Sequence, residues 1–451
     1  MTLTHMQNTR TARGTVLIVT MWVVLVLAGL VIVFARTIRV EAIASANQEA
    51  ILQAESIAHG ALQFALAEVE SAEESEDETV FEQVQVGDGY FWLLNPSLED
   101  DRSYYFGIVD EGAKINLNSA ELDMLLKLPG MTSELAAAII DWRDEDSEVS
   151  VGGAESEYYL LLQDPYYCKD DPFETVEELL LVRDASHEVL FGEDTNRNGV
   201  LDPNENDASE TEPQDDRDSH LDRGLFDYVT VYSVEPNQSA SGEERVNVND
   251  SNTQELSGLL RTSVPQDKFF YVMDRVHANQ PFRNVLDFYY RTGLTMSEFE
   301  PIAGQLTTSQ EEDLVGLVNV ATAPREILLC LPELDEADAD ALIQRRDDPG
   351  TDLTSIAWVA DTIPEEKAIA IGGHITTRSF QYSVDIVSVS GSGRAYKRYR
   401  AVIDARQTPA LVVYWKDLTH LGWPLSAGII STLRAGTPLS ETVFAANTGG
   451  I

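Results

Sequence analysis

Residues 15–35 (TVLIVTMWVVLVLAGLVIVFA) carry no charged side chain. As a helix rising 1.5 Å per residue, a run of about 21 residues crosses a hydrocarbon layer of about 30 Å. It is longer than the apolar core of a cleaved secretory signal, roughly 7–15 residues, and Arg36, Arg39 and Glu41 follow it directly. Residues 1–14 are polar, with Arg10 and Arg13 and no acidic residue. The positive-inside rule therefore predicts a cytoplasmic N-terminus and everything past Ala35 outside the cytoplasm. The helical pattern does not stop at the membrane edge. Residues 36–69 contain no Pro and a single Gly, Gly60, while Ile43, Ala46, Ala50, Ile51, Ala54, Ile57, Ala58, Ala61, Leu62, Ala65 and Leu66 form one apolar stripe. The pattern predicts one helix of about 50 residues, half in lipid and half packed on a globular head.

A basic leader ending in Arg13-Gly14 directly before an uncharged helix resembles the prepilin class of precursors. That resemblance implies cleavage between Gly14 and Thr15 by a prepilin peptidase, methylation of the new N-terminus, and survival of the helix in the mature chain. Pilins carry an acidic residue at the fifth mature position; here that position is Val19. A subunit without the acid suits the tip of a filament better than its repeating body.

Composition narrows the function. The chain has 451 residues, with 31 Lys+Arg against 76 Asp+Glu, and a net charge of −45. Such a charge repels phosphate backbones and anionic lipid, which excludes a general nucleic-acid binder and a basic membrane-adhering surface. Cys168 and Cys330 are too few for a disulfide scaffold; they either form one bridge or are two small buried hydrophobes.

Past an acidic linker at 71–79, the sequence predicts strands around Phe81–Leu94 and a hairpin over 104–115 turning at Asp110-Glu-Gly112. INLNSAELDMLLKLPG (115–130) then opens a helix pair, the second helix spanning 133–142. The opening recurs as VNVNDS (246–251) and as VNVATAPREILLCLPELDEADADALIQRR (318–346). A helix pair joined by Leu-Pro-Gly invites comparison with helix-hairpin-helix DNA binders. Asp141, Asp144, Glu145 and Asp146 stand where a phosphate contact would need Lys or Arg, and Gly130-Met131-Thr132 has only the first of the two required glycines. The pairs are read as packing elements, with no nucleic-acid partner.

Together the leader, the uncharged helix, IVDEGAKINLNSAELDMLLKLPG (108–130), FETVEELLLV (173–182), FDYVTVYS (226–233) and the two later repeats resemble the general secretion pathway protein K family, the large minor pseudopilin of type II secretion. The resemblance implies an α+β, pilin-like fold, a long N-terminal helix packed on an antiparallel sheet, with a large inserted all-α domain. The expected parts are a leader (1–14), the transmembrane and N-terminal helix (15–70), a head (71–118 and 313–406), the insertion (119–312) and a C-terminal tail (407–451). It also implies partners in the I- and J-type minor pseudopilins at a pseudopilus tip, the prepilin peptidase and the secreted substrate, in a single-pass inner-membrane protein with a periplasmic head.

Inside the insertion, DTNRNGVLDPNE (194–205) matches the twelve-residue calcium loop. Asp194, Asn196, Asn198 and Asp202 put side-chain oxygens at positions 1, 3, 5 and 9, Val200 a carbonyl at 7, Glu205 a carboxylate at 12, and Gly199 the sharp turn at 6. Hard oxygens in that number suit a structural Ca²⁺. A second metal position is assigned to Asp215, Asp216 and Asp218. The seven His residues are scattered, and no GxSxG, HExxH or P-loop occurs, so no enzyme is expected. The alternative function is a calcium-stabilised, membrane-anchored exoprotein or adhesin outside any secretion machinery.

Overall fold

The computed structural model describes residues 12–71, 80–98, 100–208, 210–211 and 215–439. Most of the expected leader, the acidic linker and the last residues of the tail lie outside these. Helix α1 (Ala12–Ser71) runs unbroken for 60 residues, about 90 Å. Its first half is exposed from Val16 to Ile43, whereas Ala50, Ala54, Ile57, Ala58, Ala61, Leu62 and Ala65 are buried. Alanine every three or four residues leaves no bulk between the helix axis and the surface beneath it, so the backbone itself approaches: the Ser388 hydroxyl donates to the Ala54 carbonyl at 2.8 Å.

That surface is a sheet of six strands: β1 (Val84–Val86), β2 (Gly89–Leu94), β3 (Val109–Asp110), β4 (Gln381–Val389), β5 (Tyr396–Asp404) and β6 (Leu411–Asp417). The order is β1-β2-β4-β5-β6, with β3 also on β4, and every pairing is antiparallel. Period-two alternation sends Phe91, Leu93, Val384, Ile386, Ala401 and Ile403 toward α1 and Tyr90, Trp92, Leu94, Val387 and Val389 to the other face. The second face is covered by Leu425 and by Ile429 and Leu433 of the helix Ala427–Arg434 that follows it. A long helix on an antiparallel sheet is the pilin-like arrangement. Residues 407–439 are therefore not a tail. Leu411–Asp417 is the strand that β5 needs on its outer side, and the following helix closes a face that would otherwise leave Trp92 in water.

Everything between β3 and β4 is inserted. The expected hairpin over 104–115 is absent: Glu111–Ala113 is a single 3-10 turn, capped by Asp110, and the chain leaves the sheet there. Three units follow, each opening on a two-residue strand ending in Asn and closing on a parallel strand ending in Thr. Ile115–Asn116 pairs with Val229–Thr230, Val246–Asn247 with Leu306–Thr307, and Val318–Asn319 with Ile375–Thr376. In each unit the opening Asn amide donates to a Ser two or three residues past the closing Thr: the hydroxyls of Ser233 and Ser379 and the carbonyl of Ser309. Between the strands of the first unit lie α2 (Leu122–Leu125) and α3 (Ser133–Arg143), and in the third α4 (Arg325–Cys330) and α5 (Glu336–Arg346). Arg143 at the end of α3 donates to the Leu117 and Ala120 carbonyls, and Arg346 at the end of α5 donates to Val320 and Ala323.

One core runs from Ile115 to Ile375 through all three units. The insertion thus extends to Thr376 rather than ending at 312, because Val318–Asn319 pairs within its own unit and not with the head sheet. Besides these short strands and an antiparallel pair, Val234–Pro236 with Asp313–Val315, its regular structure is helical. Cys168 and Cys330 are separate buried thiols.

Candidate functional site

The loop 194–205 follows the short helix His187–Phe191 and ends in the 3-10 turn Pro203–Glu205. Its turn is made at Gly199, at φ +73°, where a Cβ would lie 2.4 Å from the Pro96 Cβ; only glycine fits. Asp194 organises the turn by accepting from the Asn198 amide at 3.1 Å and the Gly199 amide at 2.8 Å. Glu205 closes it from the other end, accepting from the Thr195 amide and hydroxyl (3.0 and 2.9 Å) and the Asp202 amide (3.0 Å). Asp202 Oδ2 accepts from the Asn196 and Asn198 side-chain amides at 2.6 and 3.2 Å.

Asp194, Asn198 and Glu205 are at most 4% exposed. Burial, together with the neighbouring Asp194 carboxylate, pushes the Glu205 carboxyl up to about 7. Burial, then Asp227, raises Asp194 to about 6. Two buried acids that resist ionising make a site short of positive charge. Asn196 Oδ1 is buried without a hydrogen-bond partner, an acceptor left over in a loop full of acceptors. The donor set therefore fits a hard cation: carboxylates at positions 1, 9 and 12, amide oxygens at 3 and 5, and the Val200 backbone.

The loop is fastened to the head. Arg398 of β5 is fully buried, ion-paired with Asp385 of β4 at 2.7 Å, and it donates to the Asn196 and Arg197 carbonyls. Asn198 Nδ2 donates to the Pro424 carbonyl at 2.8 Å, and the Leu201 amide to the Asp101 carbonyl at 2.7 Å. The Arg197 guanidinium lies over the Phe191 ring, 3.6 Å from its centroid. Arg398, Asp385 and Pro424 carry no motif. Their one sequence signal is a charged pair inside two strands otherwise facing a core.

Asp215, Asp216 and Asp218, by contrast, serve separate turns. Asp215 accepts from the Asp207, Ala208 and Arg217 amides, and the exposed Asp216 and Asp218 each accept from the amide two residues on. Gly14 and Thr15 stand in the first turn of α1.

Residues 108–191 match the family model for protein K of the type II secretion system, in agreement with the resemblance carried by the sequence motifs. The matched segment runs from β3 through α3 and stops at Phe191, just before the loop. No curated protein matches the chain. Among solved structures, the chain is similar to one in the crystal structure of the GspK-GspI-GspJ complex of the enterotoxigenic Escherichia coli type 2 secretion system. The identity is 11% over 81% of this chain and 96% of that one, with a TM-score of 0.41.

Proposed function

We propose that this chain, which carries the protein K match of type II secretion over residues 108–191, is the minor pseudopilin that caps a pseudopilus tip together with the I- and J-type minor pseudopilins. The observation that carries the reading is the division of α1: residues 15–35 are apolar and exposed, while residues 50–65 are the floor of the head. The exposed half is one candidate membrane anchor, and in this reading it holds the chain in the inner membrane with head and insertion in the periplasm. Cleavage between Gly14 and Thr15 then frees the helix for assembly.

Capping follows from shape. An insertion between β3 and β4 that contains a core of its own is too bulky to repeat at every subunit along a fibre, but meets no obstacle at the end. Val19 leaves the fifth mature position without the acid that a subunit below another would offer. The chain works as a structural part with no active site, and the 194–205 loop holds a structural Ca²⁺ that pins the insertion to the head through Arg398 and Pro424. Co-expression with the periplasmic parts of the I- and J-type subunits tests the reading: a stable three-protein complex is expected on size exclusion. Elution of this chain alone at every mixing ratio contradicts it.

A further inference from the structure

Two runs in the first unit carry more apolar side chains than its core takes up. In Tyr158-Tyr-Leu-Leu-Leu162 only Tyr159 is buried, and in Leu179-Leu-Leu-Val182 only Leu179 and Val182 are. Tyr158, Leu160, Leu161, Leu180 and Leu181 stay exposed, Leu161 at 87%. Apolar residues left in water side by side are a liability unless something covers them. Hydrogen bonds gather this surplus onto one face. Arg183 donates to the Gly153 carbonyl at 2.9 Å, two residues from the exposed Val151, and its guanidinium lies over the Tyr158 ring, 5.1 Å from the centroid. The Arg183 amide donates to the Tyr159 hydroxyl at 3.2 Å, and the Tyr166 hydroxyl to the Leu181 carbonyl at 2.7 Å. Residues 151–153, 158–161 and 181–183 are thus tied into one surface that is ordered before anything binds to it, which lowers the entropy a partner has to offset.

The rim of this face is acidic. Glu148, Glu157 and Asp164 are exposed within three residues of Val151, Tyr158 and Leu161. Between positions 144 and 191 the chain holds two Lys or Arg residues, and both are engaged: Lys169 pairs with Glu178 at 2.9 Å and Arg183 with Asp184 at 3.3 Å. Such a rim repels an anionic lipid surface, and a wholly apolar partner would desolvate its carboxylates without pairing them. We propose that the face docks a basic amphipathic segment of another protein, an apolar stripe flanked by Lys or Arg, with Tyr158, Leu161 and Leu181 as its anchors. Tyrosine brings a large contact area at little rotamer cost and is enriched among the residues that dominate interfaces. The leucines cover the apolar stripe, and the rim carboxylates select the sign of the partner's charge and speed its encounter. The docking holds whether or not the chain caps a pseudopilus, and it uses neither the 194–205 loop nor Arg398.

The test places the full-length chain in phosphatidylcholine nanodiscs and titrates it with a labelled helical peptide of leucine and lysine, with empty discs as the baseline. Saturable binding above that baseline is expected, weakening as salt is added. Leu161→Ser combined with Leu181→Ser should weaken it about tenfold or more and leave the melting temperature unchanged, since both side chains stand in water. Phe270→Ser removes an exposed aromatic from the helix Gln266–Asn279, elsewhere in the insertion, and should bind like the unaltered chain. A peptide with its leucines replaced by serine, and one with its lysines replaced by glutamate, should both bind far more weakly. Equal affinity of the double leucine variant and the unaltered chain, a loss in Phe270→Ser as large as in that variant, or binding of either altered peptide as tight as the first would each overturn the docking face.

Discussion

Arg398 and Asp385 face each other across β4 and β5 as a buried pair, Nε to Oδ1 at 2.9 Å and Nη2 to Oδ2 at 2.7 Å. The far side of the same guanidinium takes the Asn196 and Arg197 carbonyls. A single planar fork thus joins the head sheet to the calcium-type loop of the insertion, a role for which the five donors of arginine are suited and the ammonium of lysine is not. Two layers that share no core are held in register by this contact, the Asn198–Pro424 bond and the Leu201–Asp101 bond.

Replacing Arg398 by Leu leaves Asp385 buried and unpaired and orphans two loop carbonyls. Urea unfolding should show a loss of about 3–5 kcal/mol. Arg398→Leu combined with Asp385→Leu should recover part of it, because the uncompensated charge is gone. Equal losses in the single and double variants would contradict the pairing.

Calcium should raise the melting temperature of the unaltered chain. An ion present at a hundred times its dissociation constant adds about 2.7 kcal/mol. Glu205→Ala should lower the melting temperature in calcium and remove the shift that depends on the 194–205 loop, leaving only what other sites supply. A full, unchanged shift in Glu205→Ala would show that the loop binds nothing.

The pH dependence in chelator has a definite sign. Glu205 and Asp194 hold their protons to about 7 and about 6 in the fold, above the ordinary 4.5 and 3.8. A raised carboxyl pKa favours folding below the ordinary value, and that contribution is lost as pH rises through the folded one. The metal-free protein should therefore lose stability between about pH 4 and pH 7 relative to Glu205→Gln, by at most about 1.4 kcal/mol per unit crossed. Calcium, which replaces the protons, should protect more at pH 7.5 than at pH 5. Parallel stability curves for the two proteins would contradict the assignment.

Asn118 and Asn249 make the same two-point clasp in successive units, each exchanging both amide bonds with a backbone, Phe173 in one and Phe282 in the other. Asn118→Leu and Asn249→Leu each leave a donor and an acceptor unmet, and each should cost about 1–3 kcal/mol in chemical unfolding. The corresponding residue of the third unit is Ala321, so Ala321→Ser should cost much less.

Much of the fold could be read from local pattern. The apolar run and the alanine stripe dictate α1, and the Asn-bearing openings mark all three units, because side-chain periodicity and capping act over a few residues. The closing Thr strands, VT, LT and IT, are equally regular. Their meaning depends on partners 57 to 114 positions earlier, as in Asn319 with Thr376 and Asn116 with Thr230, and so the insertion boundary fell at 312 instead of 376. Residues 411–417 read as part of a tail, because nothing local in them shows that β5 needs a strand on its outer side. The loop 194–205 was legible because its ligands are contiguous.

The most direct measurement is the mass of the N-terminal peptide of the protein purified from the membranes of its own host. A mature chain beginning at Thr15, bearing one methyl group, is predicted, since only a prepilin-type peptidase leaves the apolar helix intact behind the cut. An intact Met1, or a chain beginning beyond Ala35, would contradict the pseudopilin account.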